Sequence, residues 1–247
     1  MSLPLPPLRL GLRSPEVGNW QRFLNASMDA RLSTDEAFGA KTLHATKTWQ
    51  LANKLVIDGV VGPASRAIAV PQGFVQFLQA RNFTPVNERQ IDLVLIHDME
   101  YPETPQGAEW CAAFFAAPNA PRASAHYSID SDSIVQSVRE SDVAWHAPGA
   151  NHNGLGIEHA GYARQTRAQW LDVYSRAQLA LSAKLVARLC STYGIPILWV
   201  DPDGLRAGER GITGHRDVSM AFGRSSHWDP GPNFPQNVYL DLVRATV

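Results

Sequence analysis

Apolar residues stand three or four positions apart in several segments of this chain, and each such segment is predicted to be a helix. Near the start, Ser14 supplies a hydroxyl cap and Pro15 a proline in the first turn. They are followed by apolar residues at helical spacing: Val17, Trp20 and Leu24. A second amphipathic stretch covers residues 42–53. The N-terminal part of the chain is therefore predicted to be helical.

The longest helical pattern lies in the second half of the chain. Thr166 and Gln169 form a capping-box pattern at its start, and Gly194 with Pro196 ends it. Its apolar stripe is expected to consist of Ala177, Leu181, Leu185 and Leu189. A further amphipathic helix is expected over residues 107–117. Both helices are expected to cover a β-sheet.

Runs of branched apolar residues predict the strands of that sheet. The run over residues 91–96 stops at His97 and Asp98, which places an imidazole at the end of a buried strand. A strand that begins at His126 and runs to residue 129 is predicted to turn back over residues 130–133. Helices and strands together predict an α/β fold with a mixed β-sheet.

The bulk composition limits the classes of function. With 247 residues, 45% hydrophobic and 18% charged, the chain is typical of a soluble globular protein with room for two domains. A formal net charge of -1 speaks against nucleic-acid binding. No apolar stretch approaches the roughly 20 residues of a membrane span, and we expect no signal peptide.

The positions of proline and glycine residues suggest where the domains begin and end. We expect a helical domain over residues 8–70, a linker over 71–88 that contains a short helix over 74–81, and a larger domain over 89–247.

Three residues in distant segments offer metal-binding side chains. Asp229 opens a stiff, proline-rich segment, His215 lies shortly before it, and His97 ends the apolar run described above. Catalytic zinc usually takes three protein ligands and leaves a fourth position for water, so two imidazoles and one carboxylate suffice. The chain has eight His, however, and none stands in the local pattern of zinc peptidases. Residue types alone therefore leave this ligand set open.

Six blocks of the sequence resemble, in order, the zinc-dependent N-acetylmuramoyl-L-alanine amidases of the type-2 family, which includes phage endolysins and animal peptidoglycan recognition proteins. The blocks cover residues 95–98, 124–129, 143–147, 151–158, 214–218 and 229–234. The resemblance implies one Zn²⁺ at the sheet edge, bound by His97, His215 and Asp229. It also implies that bacterial peptidoglycan is the substrate and that the enzyme cleaves the amide bond between N-acetylmuramic acid and L-alanine, which lyses the cell wall.

The same resemblance suggests the groups that move protons and stabilise charge. It puts Glu158 on the position of the catalytic acid/base. The chain departs from the family pattern at His227, where many members have a Lys that stabilises the oxyanion. We expect His227 to donate the same hydrogen bond, with a charge that depends on pH. The alternatives that His227 is a rival metal ligand, or that it contacts a metal ligand without binding the metal itself, stay open.

Other residues of the blocks are candidates for substrate binding. His126, Trp145 and His146 fall in segments that the resemblance places near the groove, although Trp145 and His146 could equally serve in packing.

The first seventy residues contain a small internal repeat. An acidic turn, an apolar residue and a Gly that leads into a helix occur over residues 35–42 and again over 58–65. The repeat resembles the peptidoglycan-binding type-1 domain, which implies a small three-helix module that holds the enzyme on the wall polymer. The alternative is a helical cap that only packs against the larger domain.

Two rival functions are considered. Some recognition proteins of the family bind wall fragments without catalysis, but they lack a complete ligand set, and Asp229 is present here. A cysteine peptidase would need Cys111 or Cys190 beside a His, and neither has a flanking sequence that suggests an activated thiolate. We expect a monomeric enzyme that acts at the bacterial cell wall, in the manner of a phage endolysin.

Overall fold

The computed structural model describes residue 3 and residues 5–246, which form eight α-helices, one 3₁₀ turn and eight strands. The helices are α1 (Pro15–Met28), α2 (Ala40–Ala52), α3 (Pro63–Ala69), α4 (Gly107–Ala116), α5 (Val173–Tyr193), α6 (Pro202–Ala207), α7 (His215–Phe222) and α8 (Gln236–Arg244). The strands are β1 (Gln76–Phe77), β2 (Phe83–Thr84), β3 (Leu93–Asp98), β4 (Tyr127–Ile129), β5 (Ile134–Gln136), β6 (Val143–Ala144), β7 (Gly154–His159) and β8 (Gly211–Gly214). No helix in this described part is both long and apolar enough to cross a membrane.

The front helices α1, α2 and α3 enclose a small aromatic core of their own. Ser14 caps α1 by accepting a hydrogen bond from the Val17 N–H, as predicted. Trp20 packs edge-on against Trp49, with ring centroids 5.2 Å apart, and its Nε1–H donates to Thr46 Oγ1 at 2.9 Å. The indole is fully buried yet keeps its hydrogen bond, so it contributes its whole apolar surface to this core.

The predicted internal repeat exists as two equivalent hydrogen-bonded turns. In the first, the buried Gln21 amide donates to Asp35 Oδ1 at 2.8 Å and to the Ala37 carbonyl at 3.0 Å. In the second, the buried Gln50 amide donates to Asp58 Oδ1 at 2.8 Å and to the Val60 carbonyl at 3.0 Å. The duplicated sequence pattern thus encodes a duplicated way of fixing a turn to the preceding helix.

The central sheet is six-stranded and mixed, with strand order β1-β5-β4-β7-β3-β8. β3 runs parallel to both β7 and β8, and all six of its residues are buried. β4 and β5 form an antiparallel pair around residues 130–133, which confirms the predicted hairpin. β2 and β6 form a separate antiparallel pair. The fold is the predicted α/β fold, in which helices flank a mixed sheet.

The two faces of the sheet carry different neighbours because side chains alternate along a strand. Val94 and Ile96 of β3 face a core built with α5 and α8, whereas Leu93 and Leu95 face a core that includes residues of α6 and α7. His97 follows Leu95 by two positions and belongs to the second face. Glu158 on β7 is the register partner of His97, so both side chains project from the same face.

Three local expectations are wrong. Residues 74–81 do not form a helix: Gln76 and Phe77 form β1, which pairs parallel with β5, so the expected linker contributes an edge strand to the sheet. The long helix starts at Val173 and not at Thr166. Thr166 and Gln169 do bond to each other, but they close only a 3₁₀ turn, and Asp172 caps α5 by accepting from the Ser175 N–H. The predicted stripe also changes, because Ala177 is exposed.

Candidate metal centre

His97 stands at the carboxyl end of β3 and is almost fully buried. Its backbone pairs with Glu158 of β7, β8 pairs with β3 up to the preceding residue, Ile96, and His159 Nδ1 lies 3.0 Å from the His97 carbonyl oxygen. The imidazole is therefore held on a rigid support, and its Nδ1 lies 2.9 Å from Asp229 Oδ2.

His215 and Asp229 approach the same point from a second direction. His215 is the first residue of α7, directly after β8. A Cβ atom on Gly214 would lie 2.8 Å from Pro230 Cδ, so only glycine lets the segment after Asp229 pack this closely. The Asp229–Pro230 peptide bond is cis, and the Asp229 carbonyl accepts the Arg216 N–H at 2.8 Å. These contacts bring Asp229 Oδ1 to 3.2 Å from His215 Nδ1.

The three side chains fit a divalent metal ion. One ligand atom from each of His97, His215 and Asp229 lies within 4.8 Å of the others, and all three residues are buried. Burial opposes ionisation of Asp229, but its close contacts with the imidazoles of His215, His227 and His97 outweigh burial and hold the Asp229 pKa well below its usual range. Burial lowers the pKa of His215, which favours the neutral imidazole that a metal requires. Two imidazole nitrogens and one carboxylate are the donor set of many hydrolytic metal sites.

Two further carboxyl groups lie beside this centre. In the described structure, Glu158 Oε2 and Asp98 Oδ2 are buried and accept no hydrogen bond. Burial, followed by the charges of Asp229 and Asp98, raises the Glu158 pKa well above its usual range. Burial and the charges of Asp229 and Glu100 raise the Asp98 pKa to about 8. Both shifts favour the protonated form of the carboxyl group.

His227 lies at the solvent side of the centre. Its side chain is 67% exposed and stacks on His215, with centroids 4.5 Å apart and planes 9° from parallel. Its Nδ1 is 3.6 Å from Asp229 Oδ1, and this contact with the carboxylate raises the His227 pKa above its ordinary value. The metal-binding group found among the described residues does not include His227.

A cleft of about 590 Å³ opens over these groups. Its walls include His97, Glu158, Trp145, His146, His227 and Trp228. The indole Nε1–H of Trp145 donates to Thr84 Oγ1 at 2.9 Å, and the Arg122 guanidinium lies 6.0 Å from the Trp145 ring centroid. The Trp145 side chain is thus held by a hydrogen bond, and a guanidinium group lies over its ring at the wall of the cleft.

The structure does not bring His126 into the cleft. The His126 ring is fully buried, its Nδ1 accepts the Gly156 N–H at 3.0 Å, and its Nε2 lies 2.9 Å from Arg89 Nη2. Burial and the Arg89 charge lower its pKa to about 3. In place of the expected substrate contact, this imidazole supports the sheet behind His146.

Sequence reasoning missed Asp98 and Arg89. Asp98 had a usable signal, since it follows His97 at a strand end that was already assigned to the site. Arg89 had none: its guanidinium donates to the carbonyls of Glu140 and Gly154, among others, and only the fold brings those carbonyls together.

Both cysteines are buried and carry no disulfide. Burial raises the pKa of the Cys111 thiol well above its usual value and that of Cys190 to about 11. Such thiols stay protonated at neutral pH, which speaks against a cysteine peptidase.

Comparisons with known proteins agree with this geometry. A family model described as N-acetylmuramoyl-L-alanine amidase matches residues 87–232, and one described as a peptidoglycan binding domain matches residues 13–68. The chain is 31% identical over 167 residues to N-acetylmuramoyl-L-alanine amidase A of Achromobacter lyticus, which covers 62% of this chain and 84% of that protein. The crystal structure of the Staphylococcus aureus hydrolase AmiA with its ligand is 16% identical and covers 75% of this chain and 91% of that one. Its TM-score of 0.54 shows a shared fold.

Proposed function

This chain belongs to the N-acetylmuramoyl-L-alanine amidase family, and it cleaves the amide bond between N-acetylmuramic acid and L-alanine in peptidoglycan. From this premise we propose that His97, His215 and Asp229 bind one catalytic Zn²⁺. The observation that carries the proposal is the convergence of three buried ligand atoms within 4.8 Å. Zinc bound by such residues supplies Lewis acidity that polarises a carbonyl group and acidifies a water molecule.

Glu158 is proposed to move the proton. Its side chain projects from the same sheet face as His97, the residue lines the cleft, and its Oε2 is buried without a hydrogen-bond partner in the described structure. A carboxyl group whose pKa is raised by burial can accept a proton from water and give it to the leaving alanine amine, because its affinity for the proton lies nearer the working pH. Cleavage then leaves a lactyl carboxylate and a free amino group on alanine.

His227 is proposed to donate a hydrogen bond to the oxyanion that forms on the scissile carbonyl. Its exposed ring stacks on His215 and lines the cleft in which the substrate would bind. The contact with Asp229 favours the charged imidazolium. As pH rises through its raised pKa, the ring loses its charge, and the stabilisation of the oxyanion should weaken.

The His227→Lys variant tests this role, because a Lys stays charged to a higher pH. We expect its activity to persist to higher pH than that of the parent, measured as kcat/KM against pH on a soluble wall fragment. Superimposable profiles would count against His227 as the oxyanion donor.

Trp145 and His146 are proposed to contact the substrate, since both line the cleft. His126 is proposed to act only as a support for this wall.

We further propose a functional division of the chain: residues 8–70 bind the wall, residues 71–88 connect, and residues 89–247 carry the active site, in a monomer. The match to a peptidoglycan binding domain supports peptidoglycan as the partner of the front part. Attachment would raise the local concentration of enzyme at the bond to be cut, at the bacterial cell wall.

Mass spectrometry of digested wall fragments, with and without chelator, tests the proposed function. We expect new free N-terminal alanine in the untreated digest and its loss after chelation, with recovery when Zn²⁺ is added back. The Asp229→Ala variant should stay folded but lose both metal and turnover. Full activity of that variant would refute the ligand assignment, and wall binding without any new alanine would favour a purely recognising protein.

A further inference from the structure

The two ring nitrogens of His97 contact different side chains. Nδ1 is 2.9 Å from Asp229 Oδ2, and Nε2 is 3.1 Å from Nδ1 of His146. The two ring planes are nearly perpendicular, at 89°, and the ring centroids are 5.2 Å apart. We propose that His146 is a positioning residue for the metal ligand: it accepts the Nε2–H of His97 and thereby fixes the orientation and tautomer of that ring.

This inference rests on the proposed zinc site, and the tautomer follows from it. If His97 binds the cation through Nδ1, its ring proton must lie on Nε2, and that proton needs an acceptor. Metal-bound histidines usually donate it to a carboxylate, a carbonyl or water. Here the acceptor is a second imidazole, which adds no negative charge. Among the three proposed ligands and His146, Asp229 is then the only group with a negative charge.

The surroundings of His146 hold its ring in this place. A Cβ atom on Gly156 would lie 2.5 Å from His146 Cγ, so β7 must have a glycine at this position for the ring to fit. The His146 N–H donates to Asn151 Oδ1 at 2.9 Å, and the His126 ring packs edge-on with centroids 5.6 Å apart. His126 is fixed in turn by Arg89. Gly156, the backbone bond to Asn151 and the His126 ring thus together restrict the position of the His146 ring.

The same arrangement predicts where the proton of His146 lies. Because Nδ1 accepts from His97, the ring proton of His146 must be on Nε2, a buried atom without a hydrogen-bond partner in the described part of the chain. Nitrogen NMR of the intact zinc-loaded protein, labelled with ¹⁵N-histidine, can observe both assignments. We expect a proton on His97 Nε2 and a coupling across the hydrogen bond to His146 Nδ1. An unprotonated His97 Nε2 overturns the inference.

Zinc affinity, measured by competition with a chromophoric chelator, gives a second test. His146→Phe keeps a ring but removes the acceptor, and we expect zinc binding to weaken by about 10- to 100-fold. His146→Asn returns an acceptor near the Nδ1 position and should restore most of the affinity. Gly156→Ala displaces the ring without removing a polar group and should weaken binding as well. The exposed His152 on the same loop gives the matched control, His152→Asn, with unchanged affinity.

The outcomes separate this inference from the proposed function. A parent protein that binds no zinc refutes the zinc site itself. A parent that binds zinc tightly, together with a folded His146→Phe variant of equal affinity, leaves the zinc site intact and overturns the positioning role. If the variants fail to fold, the NMR measurement on the parent protein decides.

Discussion

Asp98 yields a quantitative prediction about the stability of the metal-free protein. Its side chain is only 7% exposed, and one carboxyl oxygen accepts the Glu100 N–H at 3.2 Å. Burial and the neighbouring charges of Asp229 and Glu100 raise its pKa to about 8, whereas an Asp in an unfolded chain has a pKa of about 3.9. Between these values the folded protein holds a proton that the unfolded chain has released.

The sign of the pH dependence follows from that difference. Because the folded state binds the extra proton, the contribution of Asp98 to the free energy of unfolding falls as pH rises from about 4 to about 8. One pH unit is worth about 1.4 kcal/mol for one whole proton, and the proton difference is incomplete at both ends of the interval, so the interval is worth about 5 kcal/mol. Asp98→Asn does not titrate and keeps an oxygen for the Glu100 N–H. The variant should equal the parent near pH 4 and exceed its stability by about 5 kcal/mol at pH 8.

Urea unfolding in the presence of chelator, at each pH from 4 to 8, measures this difference. Asp241→Asn is the matched control, because the Asp241 side chain is 74% exposed and its replacement should change stability by no more than about 0.5 kcal/mol. The reasoning is refuted if the gap between Asp98→Asn and the parent stays constant with pH or narrows as pH rises. Saturating Zn²⁺ should reduce the gap, since a nearby cation favours the ionised carboxylate.

Two further predictions concern catalysis and the front module. Glu158→Gln keeps the shape of the side chain but cannot carry the proton, so turnover of a soluble wall fragment should fall by about 10²- to 10⁴-fold, with metal content unchanged by elemental analysis; turnover near that of the parent would remove Glu158 from the mechanism. Gln50→Leu leaves the buried Gly59 N–H, now bonded to Gln50 Oε1 at 2.8 Å, without its acceptor, and should cost about 1–3 kcal/mol in thermal unfolding. Gln21→Leu should cost a similar amount, because Gln21 Oε1 accepts the Glu36 N–H in the equivalent turn. Gln72→Leu is the control and should cost almost nothing, since Gln72 is exposed. A large difference in stability loss between the Gln50 and Gln21 variants would contradict the equivalence of the two turns.

The elements that the sequence predicts correctly are those whose signal is local. The apolar run before His97 predicts a buried strand from its own residue types, and its last four residues, 93–96, are all buried in β3. Ser14 and Pro15 start a helix because the cap and the proline act within one turn. The repeated turns were visible because each uses an Asp and a Gly within a few residues of each other.

The errors arise where the outcome depends on distant parts of the chain. Gln76 and Phe77 follow a helical pattern but become an edge strand, since β5 offers an open edge to pair with. The start of α5 is an exception with a local cause: the bond between Thr166 and Gln169 forms as the pattern predicts, yet Asp172 provides a second cap that starts the helix later. His126 carries the sequence signature of a site residue, but its burial against Arg89 is decided by the fold alone.

The central claim is that His97, His215 and Asp229 bind a single catalytic cation. An anomalous difference map, recorded at the zinc absorption edge from crystals of the full-length protein grown with Zn²⁺, tests it most directly. The account predicts one strong peak at about 2.0–2.2 Å from one nitrogen of each imidazole and from the Asp229 carboxylate. A peak at another place, or no peak with the three side chains turned away from one another, would contradict it.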